Sequence, residues 1–383
     1  TAVFRLNLKF SDQLADIRKV SGLAMQDINR LSENLAKLDT RTTIEELNQI
    51  AYAGAKLGIG KYGTEGLEQF VRAANQVNVA LKEDLGADAL TALSKITEVM
   101  GLIPKMGVEK SMMAVGSAMF QLSATSTATS NNIVEFAKRL TGMARTAGIT
   151  TDQLLALGSA SGSMYLMPEV ASTAFNKLIS SLQTKHNLIE KELQIAPGTI
   201  NELYSAGRAI DAIVLIFEKM REKGNMNALQ GVFKDLGSDG ARLVNVMVTM
   251  SKNVDMLKEH LNTSSVAFEE ATAVSKEYAI QQQTAQALME RASNIWEKAF
   301  VNPEGVDMVK EMAQAWYDFS KNTTSNKFAL TTLKTLLEII AFDMKAILYL
   351  LPAILSGLLF KGVAAAVTGV AASIGLMGKN SVV

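Results

Sequence analysis

Apolar side chains in this chain return every third or fourth position rather than every second, which is the spacing of one face of an α-helix. Leu14, Ile17 and Val20, and after Gly22 the series Met25, Ile28, Leu31, Leu35 and Leu38, predict two short amphipathic helices. Further helix starts are marked where a threonine is followed, three residues on, by a side chain able to reach back to its N–H. These are Thr43 with Glu46, Thr150 with Gln153, and Thr199 with Glu202. Stops are marked by Gly58, Gly86, Gly101, Gly148, Gly224 and Gly237, because glycine takes the left-handed turn that ends a helix without steric penalty. Helices before position 240 are therefore expected to run about 10 to 20 residues each. Such punctuation describes a folded-up domain and not a rod.

From Ser238 onward the helices are expected to lengthen. Ala241 to Leu261 and Ser265 to Val301 contain neither glycine nor proline, which predicts longer helices. One stripe of the second stretch runs through Phe268, Ala271, Ser275, Tyr278, Gln282, Ala285, Met289, Ala292, Trp296 and Ala299. A seam with so many small and polar members fits packing against another copy of the chain or onto the preceding domain. The second arrangement is the expected one. Asn302-Pro303 ends the helix. A short helix through Trp316 and Phe319 and a polar joint from Ser320 to Lys327 follow. No fixed-period repeat is evident. The pattern is all-α: a compact multi-helix domain of short helices, then longer helices, then a C-terminal apolar helical hairpin. Its expected divisions are N-terminal helices over 1–42, a core helical domain over 43–300, a linker helix and joint over 301–327, and the hairpin over 328–383. The only candidate for extended backbone is a short piece at Val3 to Leu8.

The tail from Phe328 to Met377 must be hidden from water by lipid, by protein, or by each in turn. Ala346 to Phe360 and Gly362 to Gly378 carry no charge, and Lys361 alone separates them. As helices these runs would be about 22 and 25 Å long, marginal against a hydrocarbon core of roughly 30 Å. Lys361-Gly362 is a natural place to turn, and Pro352 would kink the first arm. The candidates for membrane insertion are Ile347, Leu350, Leu351, Ile354, Leu355, Leu358, Leu359, Phe360, Val363, Val367, Val370 and Ile374. Ala365, Gly369 and Ser373, four residues apart, allow close helix–helix approach there. The other reading of the same residues is a buried core hairpin.

Composition removes several chemistries. There is no cysteine, so disulfides and thiolate catalysis or metal ligation are excluded. The 38 lysines and arginines balance 38 aspartates and glutamates, leaving no net field to gather nucleic acid or an anionic membrane. Basic residues are interleaved with acidic ones, as with Arg18 and Lys19 near Asp16, and Lys219 and Arg221 beside Glu218 and Glu222. Such spacing makes mixed-charge solvated faces, and no sequence-specific nucleic-acid binding is expected. Gly58-Ile-Gly60-Lys-Tyr-Gly63 matches a dinucleotide fingerprint in letters, yet a helix and not a strand is expected before it, so it reads as a helix-to-helix turn. Gly158-Ser-Ala-Ser-Gly162 resembles a nucleophile elbow, but Ala160 stands where the serine belongs. His186 and His260, the only histidines, are expected on solvated helix faces, and Glu190 with Glu192 and Glu269-Glu270 as surface charge. No catalytic residue, metal ligand or cofactor site is predicted, and Thr1 is expected to begin a fragment or ordered portion of something longer.

A set of glycine-punctuated strings stands out: Leu38-Asp-Thr-Arg-Thr42, Leu57-Gly-Ile59, Val79-Ala-Leu-Lys-Glu-Asp-Leu-Gly86, Val115-Gly-Ser117, Ile133-Val-Glu-Phe136 with Arg139-Leu-Thr-Gly142, Ala147-Gly-Ile149, Leu236-Gly-Ser-Asp-Gly-Ala-Arg242 and Asn253-Val-Asp-Met-Leu257. In that order and spacing they resemble the core region of phage tail tape measure proteins, over Ser11 to Ala299. The resemblance implies a non-enzymatic structural protein of the tail tube lumen that templates tube length and leaves the tube at infection. It implies as partners the tail tube protein, tail assembly chaperones and further copies of the chain, with host cytoplasm during assembly and possible contact of the apolar tail with the host envelope. The alternative from another class is a pore-forming protein with a helical domain and the same hairpin.

Overall fold

The computed structural model describes residues 2–81, 89–223, 230–233, 237–307, 310, 311 and 314. The polar joint, the apolar hairpin, all twelve insertion candidates from Ile347 to Ile374, and Ala365, Gly369 and Ser373 lie outside the described residues, as do Gly86 and Gly224. The chain divides into two units, residues 1–305 and 306–383. Among the described residues every regular element is helical, with eighteen α-helices, one 3₁₀ turn and no strand.

The first helix, α1 (Ala2–Ser21), runs straight through the Val3 to Leu8 piece expected to be extended and buries Phe10, Leu14 and Ile17. Its apolar residues already sit at helical spacing, so tertiary burial needs no strand there. α2 (Met25–Ala36) follows, with Ile28, Leu31 and Leu35 fully buried. α1 packs on α3 (Ile44–Lys56), and α2 on α4 (Gly63–Ala80). The helices before position 43 thus share one compact unit with those after it. Thr43 caps α3 as anticipated: its hydroxyl accepts from Glu46 N at 3.2 Å, while Glu46 accepts from Thr43 N at 2.9 Å. The Gly58–Gly63 string is a 3₁₀ turn joining α3 to α4, with Gly58 at φ +82°. Gly60 lies where an added Cβ would come within 2.8 Å of Ser21 O, so this glycine serves the approach of α1 and not a phosphate.

The core is built on α5 (Ala89–Val99), the short α6 (Ile103–Met106) and the long α7 (Val108–Thr125). α7 is gripped between α4 on one side and later helices on the other. At Gly116 a Cβ would meet Val77 at 2.5 Å, so the glycine sets how closely α4 and α7 approach. α8 (Ser130–Thr146), α9 (Thr151–Ser163) and α10 (Pro168–Thr184) stack next. Phe136 of α8 meets Phe175 of α10 edge-on at 5.6 Å, and Phe175 meets Phe217 at 6.2 Å, a geometry that pairs ring edge with ring face. The elbow-like Gly158–Gly162 string lies inside α9, where Gly158 allows α8 to come close. Gln153 reaches back to Thr150 N at 3.1 Å at the start of this helix.

Two expectations on caps are corrected. α11 (His186–Leu193) is followed by α12 (Thr199–Ser205), whose N-cap is Gly198 at φ +87°, not Thr199. The carboxylate that caps α12 comes from Glu190, not Glu202. Its oxygens accept from Gly198 N at 2.9 Å and Ile200 N at 2.8 Å. Glu190 is 2% exposed, so it is a buried cap for the amides and partial positive charge of that turn rather than surface charge. After α13 (Ala209–Lys223) and the single turn α14 (Gln230–Phe233), Gly237 opens α15 (Gly237–Lys252) instead of ending a helix.

The long helices expected after 240 are also interrupted. α15 stops at Lys252 and α16 (Val254–Glu270) begins after Asn253. Ala271 then turns left-handed at φ +53°, α17 (Ala273–Gln281) follows, and α18 (Ala285–Phe300) starts behind the Thr284 cap. Tertiary contacts impose these breaks where the local sequence carries no glycine or proline. α16 lies on α7 and α9, α17 on α4 and α7, and α18 against α3. The stripe from Phe268 therefore does not form one helix: its members from Phe268 to Gln282 are buried or half-buried against their own domain, whereas Ala285, Met289 and Ala292 are exposed.

Candidate functional site, a polar clasp

The described residues that gather the most directed polar chemistry lie where the two ends of unit 1–305 meet. The loop from Leu38 to Thr43 joins α2 to α3, and α17 and α18 close over it. Thr40 and Thr42 are buried, as are Asn75 on α4, Gln282 and Asn294. Thr40 Oγ1 accepts from Thr42 N at 3.2 Å, Asn75 Nδ2 at 3.0 Å and Gln282 Nε2 at 3.3 Å. Thr42 Oγ1 donates to Asn75 Oδ1. The loop carbonyls are taken up one after another: Leu38 O by Lys298 Nζ at 2.6 Å, Asp39 O by Tyr278 at 3.4 Å, and Thr40 O and Thr42 O by Asn294 Nδ2 at 3.1 Å each.

Charge pairs flank this node. Arg291 forks onto Asp39, with Nε to Oδ1 at 2.7 Å and a second bond to Oδ2. Arg41 pairs with Glu290 at 2.6 Å. The hydrogen bond from Arg291 holds the Asp39 carboxyl below its ordinary value, with the Arg291 and Lys298 charges adding to it. Burial lowers the Lys298 ammonium. Burial together with Glu45 and Glu46 raises Glu297. Fixed donors on backbone carbonyls, with the flanking pairs partly exposed, hold the 38–42 loop to α17 and α18. Among the described residues no group of three or more histidines or carboxylates is placed to hold a metal ion.

The sequence profile described as phage-related minor tail protein matches residues 25–239, more than half of the 383-residue chain. The chain belongs to this family. No curated protein and no solved structure matches it. Membership gives the protein a structural role in a phage-type tail. In this minor tail protein the family match begins at the first residue of α2 and includes the gripped loop, whereas α17 and α18, which do the gripping, lie beyond it.

α18 faces the body with its polar side. Ala287 and Asn294 are buried, while Leu288, Met289 and Ile295 are 53%, 75% and 67% exposed. A shallow groove of about 460 Å³ runs along α7, α16 and α17, lined by Phe120, Val266, Thr272, Lys276 and Ile280 among others. No helix among the described residues is long and apolar enough to cross a membrane. Lys219 pairs with Glu222 and Arg221 with Asp255, each at 2.7 Å. His260 is buried on α16, its Nδ1 without a hydrogen-bond partner among the described residues, which corrects the solvated face expected for it. Its neighbour in type, His186, is half-buried and contacts Gln183 O at 3.2 Å.

Sequence reasoning missed the clasp itself. In the sequence, Leu38–Thr42 reads only as a family-like string, and Gln282 only as a stripe member. The available signal was a run of small polar residues in a loop, together with an α18 whose polar residues Arg291, Asn294 and Lys298 recur three and four apart.

Proposed function

We propose that this minor tail protein is the folded module of a tape measure protein. It occupies the lumen of the tail tube, templates tube length during assembly, and leaves at infection to help genome passage through the host envelope. One observation carries the reading: the family match falls on a clasped bundle of short helices, so this region is a module attached to a ruler and not the ruler. The ordered strings from Leu38 to Leu257 support it. So does the balance of 38 basic and 38 acidic residues, which lets DNA pass a lumen without adhering. Tail tube protein, tail assembly chaperones and further copies of the chain are the partners proposed, and the role is structural rather than enzymatic.

In-frame deletions test this. Removing a block within residues 43–237 should abolish tail assembly or leave tail length nearly unchanged, seen by electron microscopy. Shortening by about 1.5 Å per residue removed would make the region ruler and overturn the reading. The apolar tail is proposed to insert into the envelope after ejection. Liposome leakage by the chain ending at Val383, compared with one ending at Lys327, tests that, and equal leakage would leave the tail as core only.

A further inference from the structure

The segment from α16 to α18 carries one stripe that the structure buries at one end and turns outward at the other. Leu257, His260, Ser264, Ala267, Val274 and Gln282 are buried, spaced as a single helix face allowing for the half-buried Ala271 and Tyr278 between them. The same spacing continues to Ala285, Met289 and Ala292, yet these three are exposed, Met289 at 75%. The reversal happens between Gln282 and Thr284, and α18 then places Ala287 and Asn294 inward instead.

Thr284, which caps α18, is the one local signal for a break. Residues 241–302 contain no glycine or proline. The turn after α16 uses Ala271 at φ +53° and ψ +29°, a region that an alanine enters against its own Cβ. What holds α18 on the body among the described side chains is mainly polar: Arg291 on Asp39, Glu290 on Arg41, Asn294 on Thr40 O and Thr42 O, and Lys298 on Leu38 O. Val274 N is likewise held by Ser117 Oγ at 3.3 Å.

We infer that α17 and α18 form a latch: when the clasp on the 38–42 loop opens, residues 254–300 straighten into one helix, with α16 remaining on α7 and α9. That helix would be about 70 Å long. It would bring Val274, Tyr278, Ala285, Met289 and Ala292 onto one continuous face, which the latched state divides. The inference does not depend on the tape-measure reading, because it concerns two states of this chain alone.

The absence of cysteine makes the test direct. Spin labels on Asn262→Cys and Ser293→Cys, both exposed positions, would be about 46 Å apart in a continuous helix. The latched full-length chain should give one shorter distance. Adding Asp39→Ala and Asn294→Ala should produce a second peak near about 46 Å, with helical content undiminished. Ala271→Gly in that background should shrink the new peak, since glycine accepts the left-handed turn freely. A clasp-broken chain whose distances only broaden, or stay as they were, overturns the latch. If the double variant does not fold, Arg291→Gln alone must raise the long-distance population above that of the native sequence. No rise there is equally fatal.

Discussion

The interior around Phe136, Phe175 and Phe217 and the clasp around Thr40 and Asn294 are both buried, but they are held by different physics. In the first, the three rings are buried among apolar side chains, so stability follows area removed from water and the fit of neighbouring side chains. In the second, Asn294 binds two carbonyls at 3.1 Å and Thr40 accepts three donors. Each such bond is worth little net, but breaking one strands a buried partner. The aromatic core should therefore yield as a whole, and the clasp should yield locally.

The largest effect expected is that of Phe175→Ala. Phe175 is 1% exposed and touches two other rings edge-on. Truncation should cost about 3 to 5 kcal/mol, and a chemical-denaturation midpoint shifted for the whole of unit 1–305 would show it. A loss confined to α10 would mean the core is not one cooperative body.

Asn294→Ala comes next. It strands Thr40 O and Thr42 O inside the protein, at a cost of about 1 to 3 kcal/mol. Hydrogen exchange should quicken in residues 38–43 and 273–300 while α8 to α10 keep their protection. Uniform quickening would erase the distinction between clasp and core.

These two regions also differ in how far the sequence exposed them. The core was legible because burial repeats with the helix: Ile28, Leu31 and Leu35 fall three and four apart, and so do Ile133, Phe136, Ala137 and Leu140. Thr43 with Glu46 was legible because capping is local. The breaks at Asn253, Ala271 and Gln282 were not, since long-range packing of α16, α17 and α18 imposes them. The clasp was illegible for the same reason, as Asp39 and Arg291 are 252 positions apart. Glu190 misled in a third way. Its exposed-looking run, His186 to Glu192, hides one carboxylate that turns inward to reach Gly198 and Ile200.

Glu190→Ala isolates that cap. It leaves two amides at the start of α12 without their acceptor, and a loss of about 1 to 2 kcal/mol is expected. Glu190→Gln, which keeps one oxygen acceptor, should lose less. Equal losses for the two variants would mean the charge and not the hydrogen bonds does the capping.

The smallest effect depends on pH and lies between core and clasp, at His260. Burial lowers its ionisation below the ordinary histidine value, opposed by the nearby Glu259 charge. The unfolded chain, whose histidine titrates near about 6.5, therefore binds a proton at pH values where the folded chain does not. Stability from this residue is full above that value and falls as pH drops toward the folded one, with a slope of at most about 1.4 kcal/mol per pH unit. Glu297 has the opposite sign, because its raised value favours the folded state as pH falls. Thermal unfolding of the native sequence and of His260→Gln, compared between pH 7.5 and pH 5, separates the two, since Glu297 contributes to both proteins alike. The variant should lose part of the acid sensitivity. Identical pH profiles would mean that His260 binds its proton alike in the folded and unfolded chains, and that its burial is without consequence for the fold.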